Sequence, residues 1–114
     1  MDLSKLKIDK FSRIRAVNFP DDIDPGFENA NTPEVLMYFI AETSDVSAFV
    51  GSCTKARLPP DNRVIMVYRK GNKSLNRITI IAPFRRGDYP GFRLKAPMLC
   101  ALSSSLSAFV LQKV

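Results

Sequence analysis

The chain has 114 residues, 46% of them hydrophobic and 25% charged, with a formal net charge of +6 and no histidine. That length suits one domain, residues 1–114, built on a single core that needs neither disulfide nor metal. The lack of histidine removes the commonest general base, the usual activator of a nucleophile and the commonest metal ligand, so any chemistry would fall to Asp, Glu, Lys, Tyr or Cys.

The chain opens with a short helical or irregular arm carrying Leu3, Leu6 and Ile8, followed by a first strand over Ile14–Phe19. Pro20 ends that strand, and Pro20-Asp21-Asp22-Ile23-Asp24-Pro25-Gly26 forms a turn-rich acidic loop. A second strand is predicted over Glu34–Ala41 and a third over Arg63–Arg69. Their cores, Val35–Ile40 and Val64–Tyr68, are unbroken apolar runs, as expected when helices cover both faces of a parallel sheet. Between them Val46, Phe49, Val50 and Cys53 fall at i, i+3, i+4 and i+7, the stripe of a surface helix. Thr43 or Ser44 is placed to cap it, with Asp45 in its first turn and Lys55 and Arg57 in its last, as the helix dipole favours. Leu58-Pro59-Pro60-Asp61 stops the helix.

Residues 74–86 carry conflicting signals. Ser74-Leu75-Asn76-Arg77 resembles a helix entry, whereas Ile78-Thr79-Ile80-Ile81 has strand propensity. The need for a crossover favours a helix. Gly87-Asp88-Tyr89-Pro90-Gly91 is a turn, after which the period changes to two. Phe92, Leu94, Ala96, Met98, Cys100 and Leu102 are expected on one face of a strand, with Pro97 placing it at a sheet edge or bulge. Ser103-Ser104-Ser105 turns the chain into a last strand, Leu106–Gln112. The predicted fold is therefore α/β and three-layered, a Rossmann-like, mostly parallel sheet of about five strands with a C-terminal antiparallel hairpin.

This order resembles the C-terminal half of the Rossmann-like methyltransferases that use S-adenosylmethionine. It is most similar to a family of short, uncharacterised bacterial proteins with a reduced version of that fold. The resemblance rests on Val35–Ile40, the spacer Leu58-Pro59-Pro60-Asp61-Asn62-Arg63, Val67-Tyr68-Arg69-Lys70, Leu75-Asn76-Arg77 and the close Leu106-Ser107-Ala108-Phe109-Val110. It implies a sheet in which the first strand lies beside the second, then the third, with the last strand inserted antiparallel beside that. The cofactor-binding features depart from the family. Asn18-Phe19-Pro20-Asp21-Asp22 stands where glycines would admit the cofactor, and the 14 residues Pro20–Pro33 cannot hold a helix, a strand and a second helix. No cofactor is expected.

Charge is unevenly spread. Residues 20–45 carry seven acidic and no basic groups, whereas residues 46–114 carry twelve basic groups against Asp61 and Asp88 alone. A basic segment of this length marks either an anionic partner or a solvated face. Lys70, Asn72, Lys73, Ser74 and Arg77 could hold a phosphate before a helix N-terminus, without Walker spacing; the plainer reading is a basic turn that neutralises the acidic loop. Asp21, Asp22 and Asp24 could form a metal or acid–base cluster, and Asp21 and Asp22 could help bind a ligand, but the three lack a supporting histidine and EF-hand spacing and suit solvated turns better, so no metal is expected. Arg85, Arg86, Tyr89, Phe92, Arg93 and Lys95 mix basic and aromatic groups without a nucleic-acid recognition motif. Phe84, Tyr89 and Phe92 are candidates for a dimer patch or for the inner face of the hairpin. Cys53 and Cys100 lack CxxC spacing and are expected as buried structural thiols. No apolar run approaches the roughly 20 residues of a membrane span, and Met1–Lys5 has no signal-peptide core.

The expectation is a small cytoplasmic binding or accessory protein without autonomous catalysis and without membrane contact. Its candidate partners are a second copy or another protein. The alternatives are an anion- or nucleotide-binding module using Arg69–Arg77, and an enzyme completed by a partner.

Overall fold

The computed structural model describes residues 2–26 and 29–114; Met1 of the N-terminal stretch and Glu28 of the acidic segment lie outside the described residues. Five strands form one sheet: β1 (Ile14–Val17), β2 (Val35–Phe39), β3 (Arg63–Arg69), β4 (Phe92–Ala101) and β5 (Leu106–Lys113). Helix α1 (Ser44–Lys55) joins β2 to β3, and α2 (Arg77–Arg86) joins β3 to β4. The spatial order is β1-β2-β3-β5-β4, the order the resemblance implies.

The expected three-layer, mostly parallel Rossmann-like sheet is corrected on two counts. β1–β2 and β2–β3 are parallel, but β3–β5 and β5–β4 are antiparallel, so the sheet is mixed. Insertion of β5 between β3 and β4 turns two of the four pairings antiparallel. The second correction concerns the layers. Both helices pack on one face: Val46, Phe49 and Cys53 of α1 and Ile80 and Ile81 of α2 share a core with Leu36, Tyr38, Val64 and Met66. The opposite face is covered by the N-terminal arm, whose Leu6, Ile8 and Phe11 pack on Val35, Met37, Ile65 and Val67. The strand order explains this. Both crossovers advance across the sheet in the same direction, and right-handed crossovers of one direction place their helices on one face.

The arm is held by polar contacts as well. Asp2 N–H donates to Leu102 C=O at 2.8 Å. The ring of Phe11 lies beneath Lys10 and Arg63, and Asp61 pairs with both cations at 2.8 and 2.9 Å. Glu34 accepts from the N–H groups of Ser12 and Arg13 at 3.0 and 3.1 Å. Those two amides, the Arg13 one foremost, hold its carboxyl below the ordinary glutamate value of 4.5. A lowered folded pKa means stability that is present above about 4.5 and lost as pH falls through the folded value. Glu34→Gln is therefore expected to flatten the decline of the urea midpoint below pH 4.5. An unchanged acid slope would show that the arm is not anchored through this carboxylate.

Helix termini differ from expectation in detail. Thr43 occupies the N-cap of α1 without a side-chain bond. Asp45 instead folds back, accepting from the N–H groups of Ala41 and Glu42 at 2.8 and 3.1 Å. The segment predicted as helix over 74–86 begins at Arg77, because Asn76 caps it reciprocally with Thr79. Gly87, at φ 85°, closes the same helix in the left-handed conformation.

β4 departs most from its predicted pattern. Leu94 faces Leu111 and Leu99 faces Phe109, so β4 advances five residues while β5 moves two. This bulge contains Pro97, and Met98 within it takes a left-handed φ of 52°. The surplus of three residues is odd, so the side-chain alternation flips. Phe92 and Leu94 pack with the helices, whereas Cys100 and Leu102 pack on the arm side. The single apolar face expected for residues 92–102 does not exist. Met98 and Leu99 fall at the flip and stay exposed.

Candidate functional site

At the carboxyl ends of β1 and β3 the acidic loop and the basic turn meet, as expected. Arg69 forms an ion pair with Asp22 at 2.9 Å, and this guanidinium holds the Asp22 carboxyl below the usual range. Asp24 accepts from Gly26 N–H at 2.8 Å as a turn former, and Asp21 is exposed. Among the described residues no three acidic or cysteine side chains gather as a cation site.

Around the start of α2 four of the amides that could cradle a phosphate are already bonded to side chains. Asn72 Oδ1 accepts from Ser74 and Leu75 N–H at 2.8 and 3.0 Å. Asn76 Oδ1 accepts from Ile78 and Thr79 N–H at 2.9 and 3.1 Å. Lys70 Nζ donates to Ser103 C=O at 3.0 Å. Lys73 and Ser74 are exposed beside them. Lys70, Gly71 and Arg77 share one space. They border a cleft of about 340 Å³ together with Tyr68, Asn76, Leu99 and Ser107. Burial pushes the Tyr68 hydroxyl upward, and Ser107 and Arg77 partly offset it.

A larger concavity of about 570 Å³ lies between α2 and β4. Its apolar wall is Ile78, Ile81, Ala82, Leu94, Met98 and Leu99, with buried Phe109 beneath, and Arg77, Arg85 and Arg86 line it as well. Ile78 is 69% exposed, Met98 43% and Leu99 38%, three of the four large exposed hydrophobic side chains among the described residues. Asp88 pairs with Arg86 at 2.8 Å, while Arg77 and Arg85 have no ion-pair or hydrogen-bond partner among the described residues. α2 thus offers apolar residues in two directions, Ile80 toward the core and Ile78 toward the groove. The bulge supplies the facing wall.

The aromatic residues singled out as a dimer patch lie elsewhere. Phe84 packs against Tyr89, Phe92 and Phe49 with centroid separations of 5.1, 5.6 and 6.3 Å, as part of the core over α1. Sequence reasoning missed Ile78, Met98 and Leu99 as surface groups. Period two placed Met98 inside, and Pro97 was the available signal that the period would break.

No helix among the described residues is long and apolar enough to cross a membrane. No family model matches the chain, and no curated protein matches it.

Proposed function

We propose that the protein is a non-catalytic binding domain that receives an apolar, negatively charged partner in the groove between α2 and β4. The observation that carries this reading is the coincidence, on one concave surface, of exposed Ile78, Met98 and Leu99 with three arginines. Exposed apolar patches with a polar rim mark interaction surfaces, and arginine and methionine are enriched at such interfaces. No acidic side chain lines the groove, so its charge calls for an anionic partner.

A second copy suits the groove poorly, since a two-fold interface would set the same arginines against each other. Catalysis has little to stand on. The perturbed carboxyls of Asp22, Glu34 and Asp61 belong to separate structural contacts, and the raised Tyr38 and Cys53 owe their shifts to burial. Active sites instead gather such groups in one cleft. The two free thiols suit a reducing compartment.

The test is amide chemical-shift mapping of the full chain with octyl glucoside, an uncharged alkyl probe, below its micellar concentration. Shifts are expected across residues 77–86 and 94–99 and should vanish in Ile78→Asp, whose exposed site leaves the fold intact. No shift in the groove would sink the reading.

A further inference from the structure

The two cavities on this side of the molecule meet. Arg77 and Leu99 line both the 570 Å³ groove and the 340 Å³ cleft beside the 69–76 loop. The first is walled mainly by aliphatic side chains. The second brings together an ammonium (Lys70), a guanidinium (Arg77), a carboxamide (Asn76) and two hydroxyls (Tyr68 and Ser107). From this junction we infer that cleft and groove form one site for an anionic amphiphile, a long-chain carboxylate whose head sits between Lys70 and Arg77 and whose chain lies along Ile81, Leu94, Met98 and Leu99. The inference rests on the groove being the binding surface, and it adds the chemistry of the ligand.

Several features support it. No acidic residue lines either cavity. Arg77 has no partner among the described residues, and Lys70 bonds only the neutral carbonyl of Ser103, so neither cation is compensated locally. A planar guanidinium matches a carboxylate in geometry and charge. The backbone amides of Ser74, Leu75, Ile78 and Thr79 are spent on Asn72 and Asn76, so the charge that recognises an anion comes from these side chains. Each cavity also falls in the size range of small-molecule sites, about 300–1,000 Å³. Asp88 partly neutralises the opposite end of the groove by pairing with Arg86, which leaves the Lys70–Arg77 end as its cationic head. Arg85, on the far rim, is the feature an acidic peptide would use instead.

The experiment is calorimetric titration of the full chain with dodecanoate, below its micellar concentration, beside dodecyltrimethylammonium and an acidic amphipathic peptide. One-to-one uptake of dodecanoate is expected, at least tenfold tighter than the cationic chain. Decanoate, two methylenes shorter, should bind roughly fifteenfold more weakly than dodecanoate, since each buried methylene contributes about fourfold. Arg77→Gln should weaken dodecanoate about tenfold while leaving the melting temperature unchanged. Equal binding of the anionic and cationic chains would overturn the head-group assignment but leave the groove as a binding surface. Binding of the peptide alone would overturn the amphiphile in favour of a protein partner. Binding of none of the three, together with no response to octyl glucoside, would remove the groove reading as well. The comparison of two head groups on the unmodified chain keeps the inference testable even if the arginine variant misfolds.

Discussion

Phe49→Ala is expected to lower the unfolding free energy by about 3–5 kcal/mol, the usual range for deleting a buried phenylalanine side chain. Phe49 is fully buried on the inner face of α1. Its ring meets those of Tyr38, Phe84 and Phe92 at 6.1, 6.3 and 5.9 Å. One side chain therefore ties α1 to β2, to α2 and to β4. Truncation forfeits the transfer term and leaves a cavity whose other walls are rings that cannot close the gap without tilting. Against a total stability of roughly 5–15 kcal/mol for a domain, this is a large fraction. Val50, one residue along and only half-buried, is the control, and Val50→Ala should cost far less. Urea denaturation of both variants reads the difference directly. A loss below about 1 kcal/mol for Phe49→Ala would mean that α1 does not dock as described.

Much of this fold is legible in the sequence because its strongest signals are local. Val35–Ile40 and Val64–Tyr68 announce β2 and β3 by composition alone, and the spacing of Val46, Phe49 and Cys53 announces α1 and the face it buries. The layering is not local. A strand apolar on both sides must be covered on both sides, yet nothing within it says whether the cover is a helix or an extended arm. Leu3, Leu6, Ile8 and Phe11 are too few, and too irregular in spacing, to reveal that the arm supplies it.

The groove is hidden for a related reason. Pro97 signals a bulge, but whether the bulge flips the later side chains depends on the parity of the inserted residues, which the pairing with β5 decides. Ile78 reads as a strand former, or as one turn of a buried helix. Only the position of α2 over the sheet leaves it facing outward. The acidic loop opposite the basic turn was visible as charge, and the Asp22–Arg69 pair realises that contact. Being exposed, such a pair contributes little to stability.

The two thiols supply a second large effect. Cys53 is fully buried on α1, and burial pushes its pKa up to about 12 from the ordinary 9. Cys100 is half-buried on the far side of the sheet, with its pKa raised in the same direction. The thiolate is the nucleophile, so at pH 8 the shift from 9 to about 12 makes reactive Cys53 roughly a thousandfold scarcer even before access is considered. Iodoacetamide is therefore expected to alkylate Cys100 from the native protein and to reach Cys53 only through unfolding. Intact-mass kinetics should show one fast adduct, and Phe49→Ala should accelerate the second by the factor by which it raises the unfolding equilibrium constant. The same shift fixes a sign at high pH. Between about 9 and 12 the unfolded chain releases the Cys53 proton while the folded one keeps it, so stability falls as pH rises through that window. Cys53→Ala should make the alkaline decline shallower. Equal labelling rates for the two cysteines at pH 8 would contradict the packing of α1 on the sheet, and with it the core that holds the groove in shape.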